Sequence, residues 1–574
     1  MLKRAELPLQ NKWRKMIQIG LVLIAVCLNI KYIFTDFGLD GGFQTSMSYR
    51  WITGDRLFKE MWEPYQMSTF VCGLFEKIYL SLFHTTTGIV LFLQAAGVLL
   101  DAAVAVCVYK VVSKYIASKE TAFYMAWLLM LVSPKDIPIA EYSNMQIWFS
   151  MFLVLGLYLY HHTGKKLWIV GASVALCGAA LSYPSCVIVL AGAVGLLLYK
   201  KDWKAIWTMI LVCGCCAAAY MGMVLSQVSV SEMLETIHHM LQLETSHGQS
   251  VFEKFFEYFK DAVSIGLLCL LAYGIAYALV LLTCRNTYKS WSKTKLRVQT
   301  DKIFFAIITL VAVYRVLCWQ ENVRYSYSLV FVGIMILGAR HCRVLSKDKF
   351  YFYLCGTVIA LLQFVATLLL TNLVLWASIP YLLVAVVTAI LPISEAMFSE
   401  ENEFEKERFL PLIPVLLAMF LVFRNGYLIR PLNGDVSTIF NIANMVKGGP
   451  AKGIVSEYMG PYMQNETLKE WEAYIEDGDS VYLIGWSLDS LAYLYSDVEI
   501  GSPSLVPTPG YGESLLRYWE LYPEKYPDVI VASCWYGEMN FDLTEDSWIM
   551  KWIEEEYQPS RIVDGKYWRY YFKE

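Results

Sequence analysis

Apolar runs of membrane length recur from the start of the chain to about residue 423, with short polar segments between them. A helical crossing of a bilayer core needs about 20 consecutive apolar residues. By that measure the first span covers about 16–34 and the second about 87–109. A short run at 121–133, another reaching about residue 160 and a hairpin over 167–199 follow. Further spans fall at about 205–225, before the basic stretch 285–302, before Trp319, before Arg340, and at 351–370, 373–391 and 409–423. The pattern predicts about thirteen crossings, with a count of 11–13 admissible. The run 67–83 is apolar but carries Glu76 and Lys77, and it reads as a helix lying at the interface. Beyond about Leu432 the period changes. SVYLIG (480–485), DVEIG (497–501) and DVIVAS (528–533) read as short buried strands, with helical patterns at 466–476, 488–495, 511–522 and 546–557. The tail RIVDGKYWRYYFKE reads as a hairpin turned at Asp564–Gly565. The expected fold class is therefore a polytopic α-helical membrane protein, residues 1–430, followed by a small α/β domain, residues 431–574.

Composition supports that division. Of 574 residues, 57% are hydrophobic and 17% charged, too few charges for a soluble protein of this size. Net charge is −4 overall. Residues 431–574 carry 24 acids and 10 bases, a net of −14, which leaves +10 on the membrane part. An acidic domain is a poor partner for nucleic acid or for an anionic inner leaflet. Basic clusters at Lys110/Lys114/Lys119, Lys165/Lys166, Lys200/Lys201/Lys204 and 285–302 agree on one side, which the positive-inside rule makes cytoplasmic. The basic N-terminus then lies in the cytoplasm as a retained anchor, the protein sits in the plasma membrane, and the C-terminal domain is extracytoplasmic. The 14 cysteines lie almost entirely in or beside apolar runs, which argues against a disulfide framework.

The polar segments on the outer side, 35–86, 134–146, 228–261 and 319–327, hold the candidate chemistry. The first offers Asp36, Asp40, Arg50, Asp55, Arg56, Lys59, Glu60 and Glu63 among several aromatics. The second offers Lys135, Asp136 and Glu141, and the fourth Arg324 and Tyr325. Carboxylates beside cations at a membrane surface suit an amphiphilic phosphorylated substrate. A carboxylate can take a proton from a hydroxyl, and an arginine fork matches phosphate oxygens. Asp101, inside the second span, reads as a packing residue. Glu235, His238, His239 and His247 lie on an amphipathic segment, so no metal site is assigned; a divalent metal is possible without being indicated. GGPAKGI (448–454) lacks a G-x-G-x-x-G after a strand and is given no nucleotide.

GLDGGFQTSMSYRWITGDRLFKEMWEPY, which places Asp40, Gly54, Phe58 and Glu60 at matching positions, and the turn ENVRYSYS running into a span resemble the GT-C superfamily of integral-membrane glycosyltransferases. The likeness is to its protein-mannosyltransferase and aminoarabinose-transferase members. The resemblance implies transfer of a sugar from a polyprenyl-phosphate donor to an extracytoplasmic lipid, glycan or protein acceptor. It implies Asp40 as base and Arg324, with Arg56 or Lys59, at the leaving phosphate; Glu60 and Tyr325 belong to the same binding set. Asp40 is followed by Gly41 where that family has a second acid, so Glu141 or Asp136 is expected to supply it. Rival readings are a transporter or flippase, a polysaccharide polymerase of the cell envelope, and a scaffold that keeps the architecture without catalysis.

Overall fold

A computed structural model describes residues 2–35, 37–246, 251–283, 293–318, 323–370, 375–397, 412–429, 437–485, 489–505, 512–535, 538–539 and 548–573. The helical part comprises α1 (Leu2–Thr35), α2 (Gly38–Thr53), α3 (Thr69–Phe83), α4 (Ile89–Tyr115), α5 (Lys119–Leu131), α6 (Tyr142–Thr163), α7 (Lys166–Ser182), α8 (Ile188–Tyr199) and α9 (Trp203–Leu225). It continues with α10 (Val230–Ser246), α11 (Val251–Thr283), α12 (Lys293–Cys318), α13 (Val323–His341), α14 (Lys347–Leu370), α15 (Leu375–Ser378), α16 (Leu383–Met397) and α17 (Leu412–Leu421). Within the described residues, each expected apolar run is helical. Among the described residues, seven helices are long and apolar enough to cross a membrane, and three shorter apolar ones join them. The chain is a polytopic helical membrane protein.

Helices meet closely where side chains are small. A Cβ added at Gly356 of α14 would come within 2.3 Å of Thr388 Oγ1 on α16, and one at Gly156 of α6 within 2.8 Å of Ala172 on α7. Close backbone approach of this kind supplies packing where burial away from lipid gains nothing. α9 and α11 present exposed apolar side chains, among them Trp207, Leu211, Leu270 and Leu282, as lipid-facing helices do. The run 67–83 forms α3, in which Glu76 is buried and Lys77 exposed.

Strands begin after the π-helical turn Val422–Gly426 that ends α17. Two small pairs, β1 (Leu428–Ile429) with β2 (Ser437–Thr438) and β3 (Asn444–Met445) with β4 (Val455–Ser456), precede the main sheet. That sheet is built from β5 (Ser480–Ile484), β6 (Glu499–Ile500), β7 (Val529–Trp535), β8 (Glu538–Met539), β9 (Arg561–Asp564) and β10 (Trp568–Phe572). Its order is β6-β5-β7-β10-β9, with β8 paired to β7. β5 runs parallel to β6 and β7, while β10 is antiparallel to β7 and β9. Every residue of β5 is buried, which is why SVYLI reads as an unbroken apolar run rather than an alternation. The tail hairpin is present, its turn closed by the Gly565 N–H donating to Trp568 O at 2.8 Å. The helices of this part are α18 (Met459–Tyr474), α19 (Gly512–Leu521) and α20 (Trp548–Trp552). The pattern at 488–495 becomes a 3-10 turn, Asp489–Leu494, rather than an α-helix.

The sheet-bearing part sits on the Asp40 end of the bundle. Trp62, from the segment after α2, is buried in one apolar cluster with Tyr482, Ile484, Leu515 and Trp519. Gly449 O and Pro450 O accept from the backbone N–H groups of Gly88 and Val90, at 3.0 and 3.1 Å. Those two donors open α4 and have no partner within their own helix. The glycine-rich segment 448–454 thus docks on a helix end.

Candidate active site at the Asp40 end of the bundle

Asp40 lies in the first turn of α2, where the helix dipole favours a carboxylate. It does not cap that helix, whose N-cap is Phe37. Its Oδ1 instead accepts from the Tyr142 hydroxyl at 3.0 Å and meets the Lys135 ammonium at 3.0 Å. Lys135 also donates to the Tyr142 hydroxyl and lies over the Tyr142 ring, 4.0 Å from its centre. The half-exposed Tyr65 stacks on Tyr142 at 4.5 Å and on Tyr183 at 5.1 Å. One carboxylate, one ammonium and one phenol therefore share a partly exposed corner walled by aromatic rings.

The loop between α5 and α6 delivers Lys135 and Glu141 to that corner. Asp136 takes a positive φ of 61°, which few residues other than glycine, asparagine and aspartate adopt readily. Its carboxylate is gripped by the two terminal guanidinium nitrogens of Arg424, each at 2.6 Å, with the pair buried. Arg424 also lies 4.2 Å over the ring of Tyr327, whose hydroxyl donates to Asn425 Oδ1 at 2.8 Å. The far side of the loop is tied by Asn144, which donates to Ile137 O at 2.6 Å and to Ile139 O at 2.8 Å. Underneath, the Pro138 carbonyl rests directly on Gly97 of α4.

Glu141 caps α6, one oxygen accepting from the Asn144 N–H at 2.8 Å. Its other oxygen is buried and has no hydrogen-bond partner among the described residues. Burial pushes this carboxyl up to about 7; nearby Lys135 opposes the rise and Asp40 adds to it. Of the two acids expected to supplement Asp40, Asp136 is committed to Arg424 and Glu141 keeps an open oxygen.

The remaining expected residues lie elsewhere. Arg56, Lys59 and Glu60 follow the far end of α2; the ten residues from Asp40 to Arg50 already span about 15 Å of helix rise. Arg56 pairs with Glu60 at 2.7 Å, and Lys59 with Glu60 at 3.4 Å. Burial would raise the Glu60 carboxyl, but hydrogen bonds from the Arg56 side chain and backbone hold it below its ordinary range. These charges satisfy one another rather than facing Asp40. Arg324 and Tyr325 start α13, but their side chains lie outside the described residues, as do Asp36 and His247. Glu235 pairs with Arg517 at 2.6 Å. His239 meets Ser514 Oγ at 2.9 Å and stacks on Trp62 at 4.9 Å. That segment docks on α19. Asp101 accepts from Trp148 Nε1 at 2.5 Å, a helix-to-helix contact. Arg424 escaped the sequence reading because it reads as a flanking charge; a lone arginine ending the last apolar run was the available signal.

No family model and no curated protein matches the chain. It is similar to a crystal structure of ArnT from Cupriavidus metallidurans in the apo state, with 13% identity over 97% of each chain and a TM-score of 0.39. At that score the likeness carries no argument for fold, activity or site.

Proposed function

We propose that the protein is a membrane glycosyltransferase that moves a sugar from a polyprenyl-phosphate donor to a hydroxyl acceptor at the Asp40 end of the bundle. The observation carrying this reading is the convergence of Lys135 and Tyr142 on one oxygen of Asp40 beside a second carboxyl, Glu141. The sequence likeness around Asp40, Gly54, Phe58 and Glu60 supports it independently. In the proposed reaction the acceptor oxygen attacks the anomeric carbon with inversion and its proton passes to Asp40. The bond from that carbon to the phosphate oxygen breaks, and the electron pair leaves with the lipid phosphate. Lys135, 3.0 Å from Asp40, is added as a cation for the leaving phosphate beside the expected Arg324, with Arg56 or Lys59. Stabilising the charge on the departing phosphate is the largest electrostatic task in such a step. The reading puts this end outside the plasma membrane and the N-terminus in the cytoplasm, and the positions of the basic clusters in the sequence support it.

Purified protein incubated with radiolabelled polyprenyl-phosphate sugars tests the proposal. Asp40→Asn, with unchanged insertion and melting temperature, is expected to lower transfer at least ~100-fold. Transfer by Asp40→Asn at the wild-type rate overturns the assignment of the base. Failure of the wild type with every donor favours the scaffold reading.

A further inference from the structure

We propose that a buried seam of amide and hydroxyl side chains between α6, the turn Pro184–Val187 and α14 recognises the hydroxyl groups of the transferred sugar; this rests on the glycosyltransferase reading above. The centre of the seam is an amide pair. Gln363 Nε2 donates to Gln146 Oε1 at 2.8 Å, and Cys186 Sγ donates to the same oxygen at 3.4 Å. Among the described residues, Gln146 Nε2 and Gln363 Oε1 have no hydrogen-bond partner. Two amides joined by one hydrogen bond leave a donor and an acceptor over, whichever way each is turned. Ser150 Oγ, one turn further along α6, and Ser185 Oγ, on the turn, are likewise buried with no partner among the described residues. At the head of the same helix stands the open oxygen of Glu141.

Folded interiors pair nearly all their buried polar atoms, and those left unpaired call for an explanation. Here five fall on three segments that pack against one another. The seam is continuous with the Asp40 corner. Glu141 and Tyr142 open α6, and Tyr183, next to the turn, packs against Tyr65 and Tyr142. From Glu141 to Ser150 the helix rises about 13 Å. The chemistry is selective. Amides and hydroxyls donate to and accept from alcohol groups, and none of the five carries positive charge, so the seam suits a polyhydroxyl ring and not a phosphate. The donor's phosphate falls to Lys135 and its sugar to the seam.

Gln146→Leu and Gln363→Leu, singly and together, keep side-chain volume nearly constant in the full-length detergent-solubilised protein. Affinities would be measured for bare polyprenyl phosphate and for a panel bearing a hexose, a pentose or an N-acetylhexosamine, alongside melting temperature. The wild type is expected to bind one sugar-bearing lipid at least tenfold more tightly than the bare lipid. The double variant is expected to lose that preference, bind bare lipid unchanged and melt no lower, since both partners of the amide–amide bond are replaced by apolar groups and two unpartnered atoms go with them. Equal weakening toward both lipids, an unchanged preference or a clear fall in melting temperature overturns the inference and marks the amides as packing or water-binding groups. A wild type that prefers no sugar-bearing lipid also overturns it; the Asp40→Asn transfer assay then tells separately whether the glycosyltransferase reading stands.

Discussion

A carboxyl that water cannot reach ties its protonation to the stability of the protein. Glu141 rises from an ordinary value of 4.5 to about 7 because burial penalises its charge. Between those values the folded state holds a proton that the unfolded chain has released, so stability falls as pH rises from about 4.5 to about 7. Thermal melts across this window are expected to show that fall in the wild type and a flatter profile in Glu141→Gln. Equal slopes would place the open oxygen in contact with water. Asp40 and Glu141 could be singled out in the sequence because acids are conspicuous beside membrane-length apolar runs. Their pairing could not: Lys135 reaches Asp40 across a loop whose path depends on Arg424, 288 residues beyond Asp136. The spacing of Arg56 and Lys59 from Asp40 was illegible for a simpler reason: the segment reads as one polar loop, whereas a 16-residue helix lies between them.

Elements were more legible than contacts. Apolar length marked the spans, and the all-buried run marked β5, because one face or both must be covered whatever the neighbours are. A close approach between backbones leaves no such trace. At Gly97 of α4 a Cβ would stand 1.8 Å from the Pro138 carbonyl oxygen and 2.8 Å from the Ile139 Cα. Neither atom belongs to a flexible side chain, so the loop bearing Lys135, Asp136 and Glu141 must shift. Gly97→Ala is expected to reduce sugar transfer at least tenfold, since misplacement on the ångström scale is costly at a reacting centre. Gly214→Ala, which meets nothing within 4 Å, serves as the control and should match the wild type. Equal activity in both variants would show that the loop is free to give way.

At the scale of the molecule, the seam between bundle and sheet is held by Arg50. It pairs with Glu63 at 3.2 Å and with Asp55, and donates to Tyr518 at 3.0 Å and Pro503 O at 3.3 Å. Lys525 reaches Asp55 from the other side at 2.8 Å. Arg50→Ala leaves the buried Glu63 uncompensated and is expected to cost about 3–5 kcal/mol, with faster proteolytic release of the C-terminal part. Arg56→Ala removes an exposed guanidinium while the buried Glu60 keeps Lys59 at 3.4 Å, and should cost under about 1 kcal/mol; equal melting of the two variants would argue against the seam. That a small sheet-bearing part follows the helices was legible from periodicity, yet the burial of Trp62 beside Tyr482 and Leu515 was not, because an aromatic in a polar loop does not announce its destination.

The Asp136–Arg424 pair also has a history during synthesis. A ribosome adding about 5–20 residues per second needs roughly 15–60 s to travel the 288 residues between them. Throughout that interval the early aspartate waits beside the membrane with no cation from its own late partner. A nascent chain released before Arg424 would carry every residue of the Asp40 corner without the clasp that sets its shape, so completion of the corner is timed by the turn that ends α17, the last helix before the sheet-bearing part.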